Sequence, residues 1–487
     1  MYLGLDLGTS GLKALVIDDD QALVAQATAP LQSTRLQAGW SEQDPADWID
    51  ACRQVLHALR DHLPNVKGIG LAGHMHGLVL MDHRDAVLRP CILWNDLRAV
   101  EQAQRFDSKP DFRRISGTIV FPGFSAPKMA WVRDFEPAVW DRTLSMMFPK
   151  DYLGFWLTGE KQCEPSDAAG SALFDCAQGV WSDALCAQAG IDAETLPPII
   201  GSDAVRGAVR PEICDMFGIP DDAVVAGGAG DNAAAATGIG AVRNGQGLVS
   251  LGTSGVLLTV NESWTPAPAT AVHSFCHAPR DRFIQMGVTL TATDSLTWLA
   301  DIVGKRPEDL AALVQHDLSE APDRGPGKAP DDLTFLPYLA GERTPHNSDR
   351  PMGSFIGLGR QHGLKEMTRA VMDGVAYSLG DCAKALQDAG ASVAQLTAVG
   401  GGARSTYWLH ALSNVLDRPL AVNPDAEHAA ALGAARLGMA AATSQDVRDL
   451  VTPGNPTQII QPDRRLTDAY QDGLQRYRRL YKAIETQ

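Results

Sequence analysis

A chain of 487 residues is longer than one hydrophobic core usually supports, so two domains are expected. With 45% apolar and 21% charged residues, no apolar stretch near the roughly 20 residues of a membrane span and no basic segment ahead of the first strand, the sequence points away from membrane and secretory classes and towards the cytoplasm. A net charge of −16 opposes nonspecific nucleic-acid binding, and eight scattered cysteines with no C-x-x-C pair read as buried apolar residues, not as a disulfide framework or zinc site.

The chain opens on three antiparallel strands, Tyr2 to Asp6, Leu12 to Ile17 and Ala22 to Ala29. The first turn, Leu7-Gly8-Thr9-Ser10-Gly11, recurs as Leu251-Gly252-Thr253-Ser254-Gly255, one copy in each half of the chain. Glycines supply the tight corner, hydroxyls of Thr9 and Ser10 add donors, and successive backbone N–H groups form a nest suited to anionic oxygens. Two nests facing one another would grip two parts of a polyphosphate without net positive charge. Asp6 places a carboxylate beside the first nest, where it holds Mg²⁺ or serves as an Asx-type turn stabiliser. Lys13 stands at the mouth of the same nest, on a strand face that alternation alone leaves open.

Helical periodicity covers Pro45 to Leu59. Gly68 to Gly73 matches G-x-G-x-x-G, but apolar residues continue past it and no helix opens, so the match is not a dinucleotide fingerprint. Gly73-His74-Met75-His76-Gly77 is a histidine-bearing turn whose glycines open it towards a cleft. Trp94-Asn95-Asp96-Leu97-Arg98 offers an aromatic face, amide, carboxylate and guanidinium, a mixture that recognises a neutral polyol or merely builds a loop and helix cap. In Gly227-Gly228-Ala229-Gly230-Asp231-Asn232, Asp231 is either the N-cap of a small-residue helix or a rigid general base in a site cleared of side chains.

The glycine-rich stretch from Thr237 to Gly247 is the natural connection between halves and a place for a closing hinge. Beyond the second nest, helices are expected from Leu364 to Leu386 and from Tyr407 to Leu416. Gly400-Gly401-Gly402-Ala403-Arg404-Ser405 permits close approach of a flat ring or phosphate, or a tight strand-to-helix turn. Tyr470, Leu474, Tyr477, Tyr481 and Ile484 mark a docked terminal helix, with Arg476, Arg478 and Arg479 on a solvated face.

Taken together, the chain resembles the xylulokinase group of the FGGY carbohydrate kinase family, within the actin-like ATPase superfamily. The matching segments include Leu5 to Gly11, Trp40 to Pro45, Met75-His76-Gly77, Leu93 to Asp96, Pro122-Gly123-Phe124, Ala126-Pro127-Lys128 and Pro149 to Tyr152. They continue with Gly230 to Ala233, Ser250 to Gly255, Leu339 to Asn347 and Gly400 to Ser405, so nearly the whole chain is covered. The resemblance implies an α/β fold of two ribonuclease H-like, actin-like domains around a central cleft. It assigns residues 1–244 to a sugar-binding domain and 245–487 to a nucleotide-binding domain with the terminal helix.

It further implies ATP and Mg²⁺ as cosubstrates and transfer of the γ-phosphoryl group to O5 of D-xylulose. Asp231 matches the general base and Asp6 the metal-associated carboxylate; Met75, His76, Asp231 and Asn232 match sugar contacts, with Trp94, Asn95 and Asp96 beside them. Thr9, Ser10, Lys13, Gly252, Thr253, Gly401, Gly402, Arg404 and Ser405 fall to the nucleotide. His74, Leu97 and Ala229 depart from the family pattern; the first two border the expected sugar site and bear on sugar preference. The expected partner is a small-molecule sugar, with neither nucleic acid nor membrane; a homodimer is compatible with the sequence. Two rival readings are a kinase of this family for ribulose, L-xylulose or glycerol, and a non-catalytic ATP switch, against which Asp231, Asn232, Met75 and His76 speak.

Overall fold

The computed structural model describes residues 1–319, 332–451, 454 and 456–485. The first domain is built on a seven-stranded sheet. Its strands are β1 (Tyr2–Leu7), β2 (Gly11–Ile17), β3 (Leu23–Pro30), β4 (Gly68–Gly73), β5 (Val205–Ala208), β6 (Val224–Ala226) and β7 (Ala229–Gly230). They run in the order β5-β6-β4-β1-β2-β3, with β7 paired beside the end of β4. The second domain holds β8 (Gln246–Leu251), β9 (Gly255–Asn261), β10 (His273–Cys276), β11 (Phe283–Thr289), β12 (Gln395–Val399), β13 (Leu420–Val422) and β14 (Gln458–Ile460). Their order is β10-β11-β9-β8-β12-β13-β14.

The two sheets repeat one plan. In the first, β1 pairs antiparallel with β2 and parallel with β4, which pairs parallel with β6 and through it antiparallel with β5. In the second, β8 pairs antiparallel with β9 and parallel with β12, which continues to parallel β13 and antiparallel β14. The two Leu-Gly-Thr-Ser-Gly turns therefore occupy the same place, between the first two strands of each sheet.

The helices that matter for the site are α1 (Pro45–Ala58), α2 (Asp231–Gly238), α3 (Leu364–Asp388), α4 (Thr406–Leu416), α5 (Ala429–Thr443) and α6 (Arg464–Glu485). Helix α5 is encoded in the second half yet lies on the first sheet. A Cβ on Gly70 of β4 would stand 1.7 Å from Ala434 O, and one on Gly4 of β1 would stand 1.9 Å from Ala431 O. Only glycine admits so close a backbone approach. The G-x-G-x-x-G match thus encodes a helix seat, with Gly68–Gly73 forming the buried β4. Helix α5 also crosses α2, where Gly433 abuts Ala234 O and Gly238 abuts Ala429 O. Buried Arg436 donates to Thr237 O and Gly238 O, satisfying carbonyls at the C-terminal end of α2.

The core follows from this arrangement, with buried residues of both halves in one cluster between the sheets and a separate cluster on the outer side of each. All eight cysteines are buried free thiols. In α6, Tyr470, Leu474, Tyr477 and Tyr481 are buried on the second domain, where Tyr477 Oη donates to Tyr338 Oη at 2.6 Å. The basic cluster of this helix is not simply a solvated face: Arg476 pairs with Asp332 and Arg478 with Asp381, at 2.9 and 2.6 Å. Among the described residues, no helix is long and apolar enough to cross a membrane.

Candidate active site

Asp6 lies next to the end of β1, opposite Lys13 on antiparallel β2 and Ala72 on parallel β4. Directly opposed residues of an antiparallel pair share a face, so the pairing settles where Lys13 points. Burial pushes the Asp6 carboxyl up to about 6, and Lys13 partly offsets the rise. In the adjoining turn the Gly8 amide donates to Asp6 O and Gly11 O, at 3.2 and 3.0 Å. Thr9 is held from the side: its carbonyl accepts from Gln43 and its hydroxyl from Trp94 Nε1, at 2.6 and 3.0 Å. Trp94 is thereby docked on the first turn, while neighbouring Ser10 is exposed.

The end of β4 carries Gly73 to Gly77. His76 adopts a left-handed backbone, φ 69°, uncommon for a residue with a Cβ. Its Nδ1 lies 2.6 Å from Gly170 O and its ring stacks on Phe124 at 4.5 Å. Because a carbonyl only accepts, Nδ1 carries the proton and Nε2 is left as an acceptor. Burial holds the ring neutral, with a pKa of about 3. Lys128, absent from the sequence reading as a functional residue, fixes this turn from beneath. Its ammonium donates to His76 O, Ile92 O and Leu93 O at 2.6, 3.0 and 3.1 Å, joining the histidine turn to the segment that presents Trp94. Burial draws the lysine down to about 7.

Asp231 is the first residue of α2, and Gly230 takes the N-cap position. This differs from the N-cap alternative. Its Oδ1 accepts from Asn232 N and Asn232 Nδ2 at 2.7 and 2.9 Å, and Oδ2 makes no hydrogen bond among the described residues. Burial first, and the negative charge of Asp6 second, raise its pKa to about 7. Met75 lies against the preceding residue, since a Cβ on Gly230 would stand 2.8 Å from Met75 Cγ. The structure therefore brings Asp6, Lys13, Met75, His76, Asp231 and Asn232 to one region.

The segment leading to Asp231 is clamped by a buried ionic network that the sequence did not advertise. Lys150 pairs with Asp151, Glu164 and Asp167 at 2.7, 3.4 and 3.4 Å, all four side chains fully buried, and Arg206 joins through Asp151. Arg206 also donates to Gly227 O, while Ser166 Oγ donates to Glu164 and accepts from Gly230 N, at 3.1, 2.8 and 3.0 Å. Both ends of Gly227–Gly230 are thus tied to the network.

Asp96 does not face a ligand. It is fully buried, accepting from Ser41 N at 2.6 Å and pairing with Arg98 at 2.7 Å, which shapes the turn behind Trp94 and Asn95. His74 is buried edge-on to Trp48 at 5.8 Å, and Leu97 lies at the surface against Gly39.

On the second domain, Gly252 O accepts from Thr293 N and Thr293 Oγ1, and Thr253 O from Ala292 N, at 3.0, 2.8 and 2.8 Å. Gly400, at φ 87°, packs on Leu251 O, so the three-glycine segment abuts the second turn. Beside it a cavity of about 500 Å³ is lined by Gly401, Gly402, Arg404 and Ser405 with Thr293 and Trp408 among others. Gly401 has open space where a Cβ would stand. Arg404 pairs outwards with Glu427 at 3.1 Å, and Ser405 caps α4 through Trp408 N at 3.4 Å.

The profile described as "FGGY family of carbohydrate kinases, N-terminal domain" matches residues 1–238, and its C-terminal counterpart matches residues 247–442. The chain belongs to the FGGY family of carbohydrate kinases. Its two sheet-containing domains are those of the actin-like fold expected for an FGGY kinase, and it is a sugar-kinase phosphotransferase. The chain is 40% identical to the xylulose kinase of Escherichia coli (strain K12), over 99% of both chains. The crystal structure of a xyloylose kinase from Brucella ovis superposes with a TM-score of 0.96 at 46% identity, covering 100% of this chain and 99% of that one. The xylulose kinase of Rhodospirillum rubrum gives 0.88 at 28% identity, covering 100% and 99%.

Proposed function

We propose that this FGGY kinase transfers the γ-phosphoryl group of ATP to O5 of D-xylulose, giving ADP and D-xylulose 5-phosphate. The observation that carries the mechanism is Asp231: one oxygen is held by Asn232, the other makes no hydrogen bond among the described residues, and the preceding Gly230 packs against Met75. Residues 1–244 form the sugar-binding unit and residues 245–487 the nucleotide-binding unit in this reading. Names of relatives at this identity and coverage support D-xylulose as the acceptor.

In the sugar site, Nε2 of His76 accepts a hydrogen bond from a sugar hydroxyl and Met75 supplies apolar contact. Asn232 and the Trp94-Asn95 turn border the same space, with Asp96 supporting that turn. Asp231 Oδ2 takes the O5 proton as O5 bonds to the γ-phosphorus; the bond from that phosphorus to the β,γ-bridging oxygen breaks and its electrons leave with ADP. Phosphoryl transfer has a loose transition state, so placement of O5 outweighs the strength of the base.

The nucleotide is assigned to the second turn and the cavity beside Gly401, with Gly252, Thr253, Gly402 and Ser405 around it. Thr9, Ser10 and Lys13 face the transferred phosphate. Among the described residues no three His, Cys, Asp or Glu side chains converge as a preformed metal cage. Asp6 and Asp231 are instead mutually repelling carboxylates, a site whose surplus charge suits a dication that brings most of its ligands as water and phosphate oxygens. Asp6 would hold Mg²⁺, which when bound neutralises charge on the transferred group. The test is the product: NMR of a reaction containing D-xylulose and ATP shows one sugar phosphate, substituted at O5, per ADP. A product phosphorylated elsewhere, or none, rejects the reading.

A further inference from the structure

Arg343 makes a cross-domain contact in the sugar region that takes no part in the transfer chemistry of Asp231. It lies in the loop Leu339–Asn347 and is pinned to the second domain on both sides. Glu342 accepts from Leu290 N and Arg343 N at 2.9 and 2.7 Å; Thr344 Oγ1 donates to Ala271 O and accepts from Val288 N at 2.8 and 3.1 Å. From this base the guanidinium reaches the first domain and lies 4.5 Å over the ring of Phe121. It forms no ion pair or side-chain hydrogen bond among the described residues, although it is half-buried.

The surroundings define which end of the sugar site it faces. Starting at Asp231, Gly230 touches Met75, His76 follows, His76 stacks on Phe124 at 4.5 Å, and Phe124 meets Phe121 at 5.8 Å. Arg343 covers the far side of that row. From the second domain, His273 and Phe275 close it, 5.2 Å from Phe121 and 6.1 Å from His76 respectively. Burial keeps both histidines neutral, so neither ring adds a positive charge that would repel the guanidinium, and the carboxyl of neighbouring Glu342 is the acidic group that acts on it.

An arginine has five N–H donors and no acceptor, and holding it half-buried without a partner is costly unless a ligand supplies oxygens. Its planar fork matches two oxygens on adjacent atoms. With O5 of the acceptor at Asp231, the end of a five-carbon ketose that reaches Arg343 is the C1 hydroxyl and C2 carbonyl. We propose that Arg343 is a specificity-determining residue, donating from the opposite domain to the C1–C2 hydroxyketone of the acceptor sugar. The proposal rests on the assignment of Asp231 and His76 to the sugar site. The lone pairs of a C2 carbonyl lie in one plane, which a planar fork matches, whereas the tetrahedral C2 hydroxyl of an alditol accepts in other directions, so this contact favours ketoses over alditols.

The experiment compares kcat/KM for D-xylulose and for xylitol and D-arabinitol in wild type, Arg343→Gln and Arg343→Lys, with KM for ATP and thermal unfolding measured alongside. The expected result is a ketose KM raised about tenfold or more in Arg343→Gln and a ketose-to-alditol ratio reduced by a similar factor, with KM for ATP unchanged. Arg343→Lys keeps the charge and loses the fork; it shows the same fall in ratio and carries the test should the glutamine variant fail to fold. An unchanged ratio, or an equal loss on every acceptor, makes Arg343 only a strap between domains and overturns the proposal. So does a wild type that prefers the alditol. A wild type that favours another ketose rejects D-xylulose as the substrate while leaving Arg343 testable on that ketose against its alditol.

Discussion

The Nδ1 of His76 lies 2.6 Å from the carbonyl oxygen of Gly170, and that contact determines the chemistry of the ring. A proton on Nδ1 leaves Nε2 as an acceptor, the role the proposed sugar site requires of it. Glycine at 170 is part of the arrangement, because a Cβ there would stand 2.5 Å from Nδ1. His76→Ala is expected to raise KM for the sugar by about tenfold or more while KM for ATP stays near wild type, a split read from steady-state kinetics. A matched rise in both constants would remove His76 from the sugar site.

Asp231 must be ionised to accept a proton, and both burial and Asp6 raise its pKa to about 7. Activity is therefore present above that pH and lost as pH falls through it. The pH profile of kcat/KM for the sugar is expected to show an acid limb near pH 7. Asp231→Asn is expected to bind ATP and to lose roughly a hundredfold or more in kcat, within the range for a missing acid or base. Near-normal turnover would leave Asp231 a structural residue at the start of α2.

Gly401 and Gly402 are adjacent and make opposite predictions. A Cβ on Gly401 meets no protein atom within 4 Å, whereas one on Gly402 stands 2.7 Å from Leu251 Cβ and 3.0 Å from Thr293 Cγ2. Gly401→Ala should leave thermal stability unchanged and raise KM for ATP, because in the proposed site the nucleotide takes the open space. Gly402→Ala should cost about 1–3 kcal/mol of stability through overpacking. Denaturant unfolding and ATP titration separate the two.

Lys150 is the cation on which Asp151, Glu164 and Asp167 converge in the interior. Its replacement by Met leaves buried carboxylates without that cation, and removal of one partner from a buried pair typically costs about 3–5 kcal/mol. The expected result is a corresponding loss in chemical denaturation. Stability equal to wild type would show that the network does not hold the Asp231 segment.

Much of this was legible in the sequence where the signal was local. The opening meander is written in alternating apolar residues and turn chemistry, and β1 to β3 follow it within a residue or two. The repeated Leu-Gly-Thr-Ser-Gly pointed to a duplicated plan, and the matching strand pairings of the two sheets bear that out. Gly68 and Gly70 read correctly as something other than a nucleotide motif. Their purpose was hidden because the partner, α5, lies more than 350 residues away in the chain.

The same distance hid the support of the site. Nothing local distinguishes Lys150 or Lys128 from surface lysines until Glu164, Asp167 and Arg206, or the carbonyls of His76, Ile92 and Leu93, are brought around them. Asp96 misled for the converse reason. Its neighbours Trp94 and Arg98 suggest a polyol site, but Arg98 is turned inwards, 3.8 Å over the ring of Trp40 and paired with Asp96 and Glu42. A charged residue beside an aromatic one reads the same whether the pair faces a ligand or closes a buried ion pair.

The proposed function makes D-xylulose the preferred acceptor. A coupled ADP-release assay of the wild-type enzyme with D-xylulose, D-ribulose, L-xylulose and glycerol tests it most directly. The expected result is a kcat/KM for D-xylulose at least about tenfold above each alternative; a ribulose or glycerol value about tenfold above that for D-xylulose would rule out D-xylulose as the substrate.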